Sequence, residues 1–393
     1  MDRNPGDDPL LTWRREFPIL SHTTYLISHS LGAMPRRAAA RMEEYTAAWA
    51  DRGIRAWEDG WWEMPLTVGN LVGRIIGAGE GEVVMHQNVS ICQSTVTSSL
   101  DWSGPRNKLV TEGLNFPSND YIYHGLERIG ARVVPVPSPD GRTLPLEDLL
   151  AAVDQQTLLV SVSHVAFRSS YLQDLAAITK RAHDAGALVV ADLYQSAGTV
   201  PVNVRELNLD FAAGGSVKWL CGGPGAGYLY VRRDHWNRLE PIFTGWAAHE
   251  RPFQFDGGPI RYASDAHRFL NGTANVPALY AARSGYEIIN QIGVEAIRAK
   301  SIRQTALLIE MADEAGIPVR TQRNPAERGG VVTLDVPNGA EVTRELIRRE
   351  VLVDFRPGAG IRLSPHFYTT REELEHAVRE IRQIAGSLDT GAR

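Results

Sequence analysis

The run Ala187-Leu-Val-Val-Ala-Asp192 constrains this chain more than any other stretch. It is apolar, rich in β-branched residues, shows no alternation, and ends in an acid. Such a segment reads as a strand buried on both faces of a parallel sheet, with Asp192 delivered at its carboxyl end. Parallel neighbours need crossover connections, usually helical. Strand-like pieces at 82–85, 108–111, 132–136 and 158–163 alternate with helix-like stretches, so the connections are available. The expected fold is α/β: a doubly wound, mainly parallel sheet with helices on both faces. Ligands in such sheets bind in the crevice outside the carboxyl ends of the strands.

Lys218 follows in Asp210-Phe-Ala-Ala-Gly-Gly-Ser-Val-Lys218-Trp-Leu-Cys-Gly-Gly-Pro-Gly, between two short strand-like pieces. Glycines at 222, 223, 225 and 227 let the backbone turn tightly and come close to a bound group. The Gly-x4-Gly-Lys-Ser/Thr spacing of a phosphate loop is absent. Taken alone, a lysine before glycines also reads as a surface residue beside a loop. The interval from Asp192 leaves room for one crossover and a return strand. An acid for a pyridinium nitrogen and a partly desolvated amine for an aldehyde are what pyridoxal 5′-phosphate asks of a protein.

Asp192-Leu-Tyr-Gln195-Ser-Ala-Gly-Thr and the Ser-Val-Lys218-Trp-Leu-Cys-Gly-Gly-Pro-Gly block resemble class V, fold-type I pyridoxal-phosphate enzymes. The nearest likeness is to kynureninases, and it covers almost the whole chain. Ser30-Leu-Gly32 resembles the family's Asn-Ser-Leu-Gly start, with His29 where Asn is usual. Gly60-Trp61, with Pro65 and Gly69, matches a substrate-side segment, although Trp57, Trp61 and Trp62 also read as a packing cluster. Asn88, Val89 and Ser90 stand at the phosphate turn; the same residues read as an ordinary helix N-cap. Asn115-Phe116-Pro-Ser-Asn119-Asp-Tyr resembles the motif whose phenylalanine stacks on the cofactor, which implies that role for Phe116. Thr244-Gly-Trp246-Ala-Ala-His249 resembles a substrate-loop segment. The turn Gly272-Thr273-Ala-Asn275 resembles the one whose threonine reaches the phosphate of a neighbouring subunit. Gly360-Ile-Arg362-Leu-Ser-Pro resembles the ending in which arginine grips the substrate α-carboxylate. The resemblance therefore implies Lys218 and Asp192 as catalytic residues. It implies cofactor contacts from Asn88, Val89, Ser90, Phe116, Asn119, Gln195 and Thr273, and substrate contacts from His29, Trp61, Trp246 and Arg362. It also implies a homodimer with shared active sites.

Composition narrows the partners. A net charge of −5 argues against nucleic acid. Two cysteines, Cys92 and Cys221, make neither a disulfide framework nor a Cys-rich metal site, which fits a reducing cytoplasm; no metal is expected. No apolar run approaches spanning length, so no membrane role is expected. At 393 residues two associated domains are expected. The division is an N-terminal arm over 1–20 packing on the small domain, a cofactor-binding domain over 21–274, and a smaller α+β domain over 275–393.

Three departures from kynureninases bear on chemistry. Val217 stands where they have a tyrosine before the lysine, Gln195 replaces a histidine, and Asn119 replaces an aspartate. The expected substrate is an α-amino acid with a bulky or conjugated side chain, and the expected reaction is kynureninase-like or C–S lyase-like cleavage at Cβ. Aminotransfer, epimerisation and decarboxylation-coupled oxidation are alternatives on the same site. A non-catalytic pyridoxal-phosphate-binding protein is the alternative of another class.

Overall fold

The computed structural model describes residues 8–391, with side chains described to residue 388. Residues 1–7 of the expected N-terminal arm lie outside the described residues. The strands are β1 (Thr24–Tyr25), β2 (Val83–His86), β3 (Lys108–Glu112), β4 (Arg132–Val136), β5 (Thr157–Ser163), β6 (Leu188–Asp192), β7 (Phe211–Gly215), β8 (Gly227–Val231), β9 (Val332–Leu334), β10 (Val351–Leu352), β11 (Asp354–Arg356) and β12 (Gly360–Leu363). The helices are α1 (Arg36–Arg52), α2 (Met64–Ile76), α3 (Val89–Ser98), α4 (Pro117–Leu126), α5 (Leu146–Ala152), α6 (Leu175–Asp184), α7 (Val276–Ile292), α8 (Val294–Glu314), α9 (Gly339–Arg348) and α10 (Arg371–Gly391).

A seven-stranded sheet in the order β2-β8-β7-β6-β5-β3-β4 forms the centre. Pairs from β7 to β4 are parallel, and β8 runs antiparallel to both β7 and β2. This is the expected mainly parallel α/β sheet. The register sets Asp192 beside Ser163 of β5 and Ala213 of β7, so the carboxyl ends of three strands open on one crevice. The continuous apolar run of β6 is what a strand covered on both faces requires, and its last four residues are buried.

A smaller antiparallel sheet, β11-β12-β9, packs with α8, α9 and α10 around a second apolar cluster that includes Leu308, Val332, Leu346, Ile361 and Ile381. The side chains of α7 join the larger cluster, as do Phe17, Phe367 and Tyr368. The N-terminal segment reaches the C-terminal one: β1 pairs with β10, and Arg14 makes a bidentate pair with Glu373 while donating to the Tyr368 carbonyl. No helix among the described residues is long and apolar enough to cross a membrane.

Helix α6 begins at Leu175, where Asp174 caps it by accepting from the Ala177 amide, and Tyr171 before it pairs with Arg328. Pro35 sits at the N-cap of α1. Val319 adds a single bridge to Leu334 beside the small sheet.

Candidate active site

The turn after β7 carries Lys218 and is pinned from several sides. Ser216 N and Oγ both donate to the Ala226 carbonyl, Gly222 N donates to Ser216 O, and Cys221 N donates to Lys218 O. The N-terminal segment crosses over it, with Gly32 N donating to Val217 O at 2.7 Å. A side chain at Gly32 would run into the Lys218 carbonyl, so glycine permits this crossing.

The chain has four lysines, at 108, 180, 218 and 300. Lys108, Lys180 and Lys300 are paired with Asp154, Asp184 and Asp8. Among the described residues Lys218 has no acid within ion-pair distance. Its amine lies instead 4.3 Å from the Tyr194 ring centroid and 5.7 Å from that of Phe116. Burial lowers its pKa to about 8; the charge of Asp192 works the other way, and those of Arg362 and Arg356 add to the lowering. The result is an amine that gives up its proton far more readily than an ordinary lysine.

Asp192 is buried, with Oδ1 accepting from the Tyr194 amide at 2.8 Å and Oδ2 from Asn119 Nδ2 at 2.9 Å. Burial raises its pKa, against these two hydrogen bonds and the Lys218 charge. It is thus a buried carboxylate short of a cation, and the Asn119 carbonyl oxygen next to it has no partner among the described residues. A pyridinium N–H aimed at Asp192 answers the first need, so the residues present fit pyridoxal phosphate. Gln195 spans the site, donating to the His29 carbonyl at 3.1 Å and accepting from Trp219 Nε1 at 2.9 Å. Phe116 is half-exposed and meets Phe167 edge-on. Asn88 caps α3 through Ile91 N, and Val89 and Ser90 open that helix. Gly227 lies so close beneath the Asn88 backbone that an added Cβ would come within 2.7 Å of it.

Arg362 is buried and already engaged. Its Nε and Nη2 donate to the two oxygens of Asp354 at 2.8 and 2.5 Å, and Nη1 donates to the Phe167 carbonyl at 2.5 Å. Arginine has five N–H donors, so each terminal nitrogen keeps one. Asp354 also accepts from His29 Nε2 at 2.9 Å, and His29 Nδ1 shares a hydrogen bond with Ser364 Oγ at 2.6 Å. Both ring nitrogens of His29 are therefore spent inside the fold, and burial holds its pKa down at about 4. Burial works against ionised Asp354, but hydrogen bonds from His29 and Arg362 prevail and keep its carboxyl below the ordinary range.

Lys218, Asp192, Asn119, Gln195, Phe116, His29 and Arg362 thus gather at one crevice. Trp61, Trp246 and Thr273 line a separate cavity with Trp62 and with His86 and Gln87, which precede α3. Trp61 stacks on Tyr45 and donates to Tyr280 Oη; Trp246 packs edge-on to Trp62 and is partly exposed. Thr273 is exposed. Sequence reasoning missed Asp354 and Tyr194. The Arg356-Pro-Gly turn before Arg362 was a hairpin signal that sets Asp354 opposite Arg362 across the β11–β12 pair.

Comparison with known proteins follows the same outline. Residues 24–376 match the family model described as aminotransferase class-V. A kynureninase of Burkholderia pseudomallei is 32% identical over 408 residues, covering 98% of this chain and 94% of that protein. A kynureninase of Pseudomonas fluorescens is 33% identical over 397 residues, covering 96% and 93%. Among solved structures, an apo cysteine desulfurase of Thermococcus onnurineus NA1 superposes with a TM-score of 0.85 at 24% identity, covering 98% of this chain and 99% of the other.

Proposed function

This chain belongs to the class-V aminotransferase family of fold-type I pyridoxal-phosphate enzymes, and from that premise we propose that it cleaves a bond at Cβ of an α-amino acid carrying a bulky or conjugated side chain. The observation that carries the proposal is one crevice holding an unpaired amine, Lys218, and a preset guanidinium, Arg362, with a free N–H on each terminal nitrogen. When bound, pyridoxal phosphate supplies an electron sink for the pair left by a broken bond. Asp192 would hold the pyridine nitrogen in its protonated form, Phe116 and Gln195 would contact the ring, and Asn119 orients Asp192. The N-terminus of α3, with Asn88, Val89 and Ser90, would seat the phosphate.

Arg362 grips the substrate α-carboxylate with its two remaining N–H groups, which fixes the orientation of Cα. Lys218, its pKa lowered by burial to about 8, takes the proton from Cα and can return one during the reaction. His29 acts here through Asp354, which it helps hold against Arg362. Phe116, which meets Phe167 edge-on, offers the crevice an aromatic wall that favours a planar or bulky substituent, whereas Trp61 and Trp246 line the separate cavity of this chain. The two free, buried cysteines fit a cytoplasmic setting.

The test is product analysis after incubation with kynurenine, with an S-substituted cysteine, and with an amino acid plus a keto acid. Anthranilate with alanine supports the kynureninase-like form, and thiol with pyruvate and ammonia supports Cβ–S cleavage. Amino transfer, inversion at Cα or carbon dioxide release without Cβ cleavage overturns the lyase reading. Absence of any spectral response to every amino acid tested favours a non-catalytic binding protein.

We also propose a homodimer in which Thr273 serves the partner's phosphate site. Thr273 is exposed and lies beside the residues preceding α3 of its own chain, so service within one chain is the competing arrangement. Mixing inactive Lys218→Ala and Thr273→Ala chains is expected to recover up to about a quarter of wild-type activity, the share expected if one of the two sites is intact in half of randomly mixed dimers. No recovery in mixed dimers, or an active monomer, defeats the shared site.

A further inference from the structure

Two arginines beside Arg362 have no part in the reading above. The small sheet sets Asp354, Arg362 and Thr333 side by side in one row across its three strands. The segment after β5 is laid against that row: Arg362 Nη1 donates to the Phe167 carbonyl at 2.5 Å, and Thr333 Oγ1 to the Arg168 carbonyl at 3.3 Å. The Arg168 guanidinium lies 5.2 Å from the centroid of the Phe167 ring, and that ring meets Phe116 edge-on. Arg356 stands two residues beyond Asp354 in β11, so the two side chains leave the same face of the sheet. Buried Arg362 therefore has an exposed arginine on each of two neighbouring segments.

Neither exposed guanidinium is fully answered by an acid. Arg168 makes no hydrogen bond or ion pair through its side chain among the described residues, only the contact with the Phe167 ring. Arg356 reaches Asp354 Oδ2 at 3.1 Å, but Arg362 Nη2 already takes that oxygen at 2.5 Å. Its other contact is a long one, 3.4 Å, to the Phe355 carbonyl. The charges of both arginines reach Arg362, and that of Arg356 reaches Lys218, in each case lowering the pKa. Of the crevice acids, Asp354 holds Arg362 and Asp192 is assigned to the pyridine nitrogen. The α-carboxylate of a substrate answers Arg362 and leaves Arg168 and Arg356 at the rim of an electropositive cleft, where anions are concentrated.

We propose that Arg168 and Arg356 form a second carboxylate subsite, and that the substrate is an α-amino acid whose side chain ends in a carboxylate. This rests on the functional reading above, in which Arg362 takes the α-carboxylate. A guanidinium presents a planar fork of donors that matches a carboxylate. Phe116 and Phe167 give the carbon stem of such a side chain an apolar surface to lie on. An uncharged side chain leaves both arginines hydrated and unharmed, so the subsite acts by preference and not by exclusion.

The experiment titrates full-length holoprotein with S-carboxymethyl-L-cysteine and S-carboxypropyl-L-cysteine, and with their amides, S-carbamoylmethyl-L-cysteine and S-carbamoylpropyl-L-cysteine. Dissociation constants are read from the visible absorbance band. Acid and amide differ in charge and hardly in shape, and the two lengths sample the reach of the subsite. Wild type is expected to bind at least one acid about 10-fold more tightly than its amide, a preference that narrows with added salt because both arginines are exposed. Arg168→Gln and Arg356→Gln should each cut that preference about 3-fold, and the double variant should abolish it. Amide affinities should stay within about 2-fold of wild type throughout. Arg168→Glu should weaken the acid further than Arg168→Gln does, by charge repulsion. If the Arg356 variant fails to fold, the two Arg168 variants carry the test. An Arg356 that merely steadied Asp354 would cost acid and amide alike, so the amides separate a subsite from support of Arg362. Such equal losses, no binding of either acid, equal affinity of wild type for acid and amide, or a preference that survives in the double variant overturns the proposal. A wild-type protein that binds no pyridoxal phosphate overturns the functional reading as well, which separates the two failures.

Discussion

Lys218→Ala is expected to reduce turnover by about 10⁴-fold or more, since under the proposed function it removes both the covalent anchor and the base at Cα. The fold should be almost untouched. Lys218 makes no ion pair or hydrogen bond through its amine among the described residues, only contacts with two rings. Its removal leaves no buried partner unsatisfied, so urea denaturation should change by no more than about 1 kcal/mol. The other lysines give the control: Lys108 and Lys300 are buried and committed to carbonyls and acids, and Lys180 is an exposed helix pair. Borohydride reduction of the holoprotein followed by peptide mapping should place the cofactor on Lys218. A label on Lys108, Lys180 or Lys300, or turnover within 10-fold of wild type in the alanine chain, refutes the assignment.

Asp354→Ala should do the reverse, damaging the fold as well as substrate binding. Asp354 receives Nε and Nη2 of Arg362 and Nε2 of His29, all from buried side chains. Removing one partner of a buried ion pair costs about 3–5 kcal/mol, because the remaining charge is left unpaired. Asp354→Asn keeps the volume and one acceptor and should cost less. In both variants Arg362 is less firmly aimed, so KM for a carboxylate-bearing substrate should rise more than kcat falls.

The same cluster sets a pH dependence. The Asp354 carboxyl lies below its ordinary value in the fold, so its stabilisation is complete above about pH 4 and drains away as the pH falls further. His29 is a base whose pKa is lowered to about 4 in the fold. Between the ordinary histidine value near 6.5 and that level, the unfolded chain takes up a proton that the fold refuses. Its contribution is full above about pH 6.5 and declines as the pH falls toward 4. Urea midpoints measured from pH 7 to pH 4 should therefore fall more steeply for wild type than for His29→Asn. Parallel curves for the two chains would remove His29 from the linkage.

The sheet was legible because its strands speak in composition: Leu188-Val-Val-Ala-Asp192 is too uniformly apolar for anything but a strand covered on both faces. Lys218 was legible from the glycines behind it and the acid ahead of it. Asp354 was less so, because its meaning depends on a hairpin register that joins it to Arg362, and an aspartate in a strand looks like a solvated edge until its partner is placed. His29 illustrates the same limit from the other side. Its motif marked it for a substrate contact, but the direction of its ring is set by Asp354 and Ser364, both more than 300 residues away in the chain. Tyr194 carried no signal by itself, since its place beside Lys218 depends on the missing side chain at Gly215 on the next strand.

The crossing of the N-terminal segment over the lysine turn sets an order of events during synthesis. Gly32 locks onto Val217, His29 waits for Asp354 and Ser364, and Arg14 waits for Glu373. A ribosome emitting the chain from its N-terminus can complete the central sheet once β8 has emerged, yet Arg14 and His29 meet these partners only when the C-terminal strands and helix arrive. Contacts of such long sequence separation form late, because their loop closure is paid before they reward it. A product truncated before residue 354 lacks the partners that hold Arg14 and His29 in place.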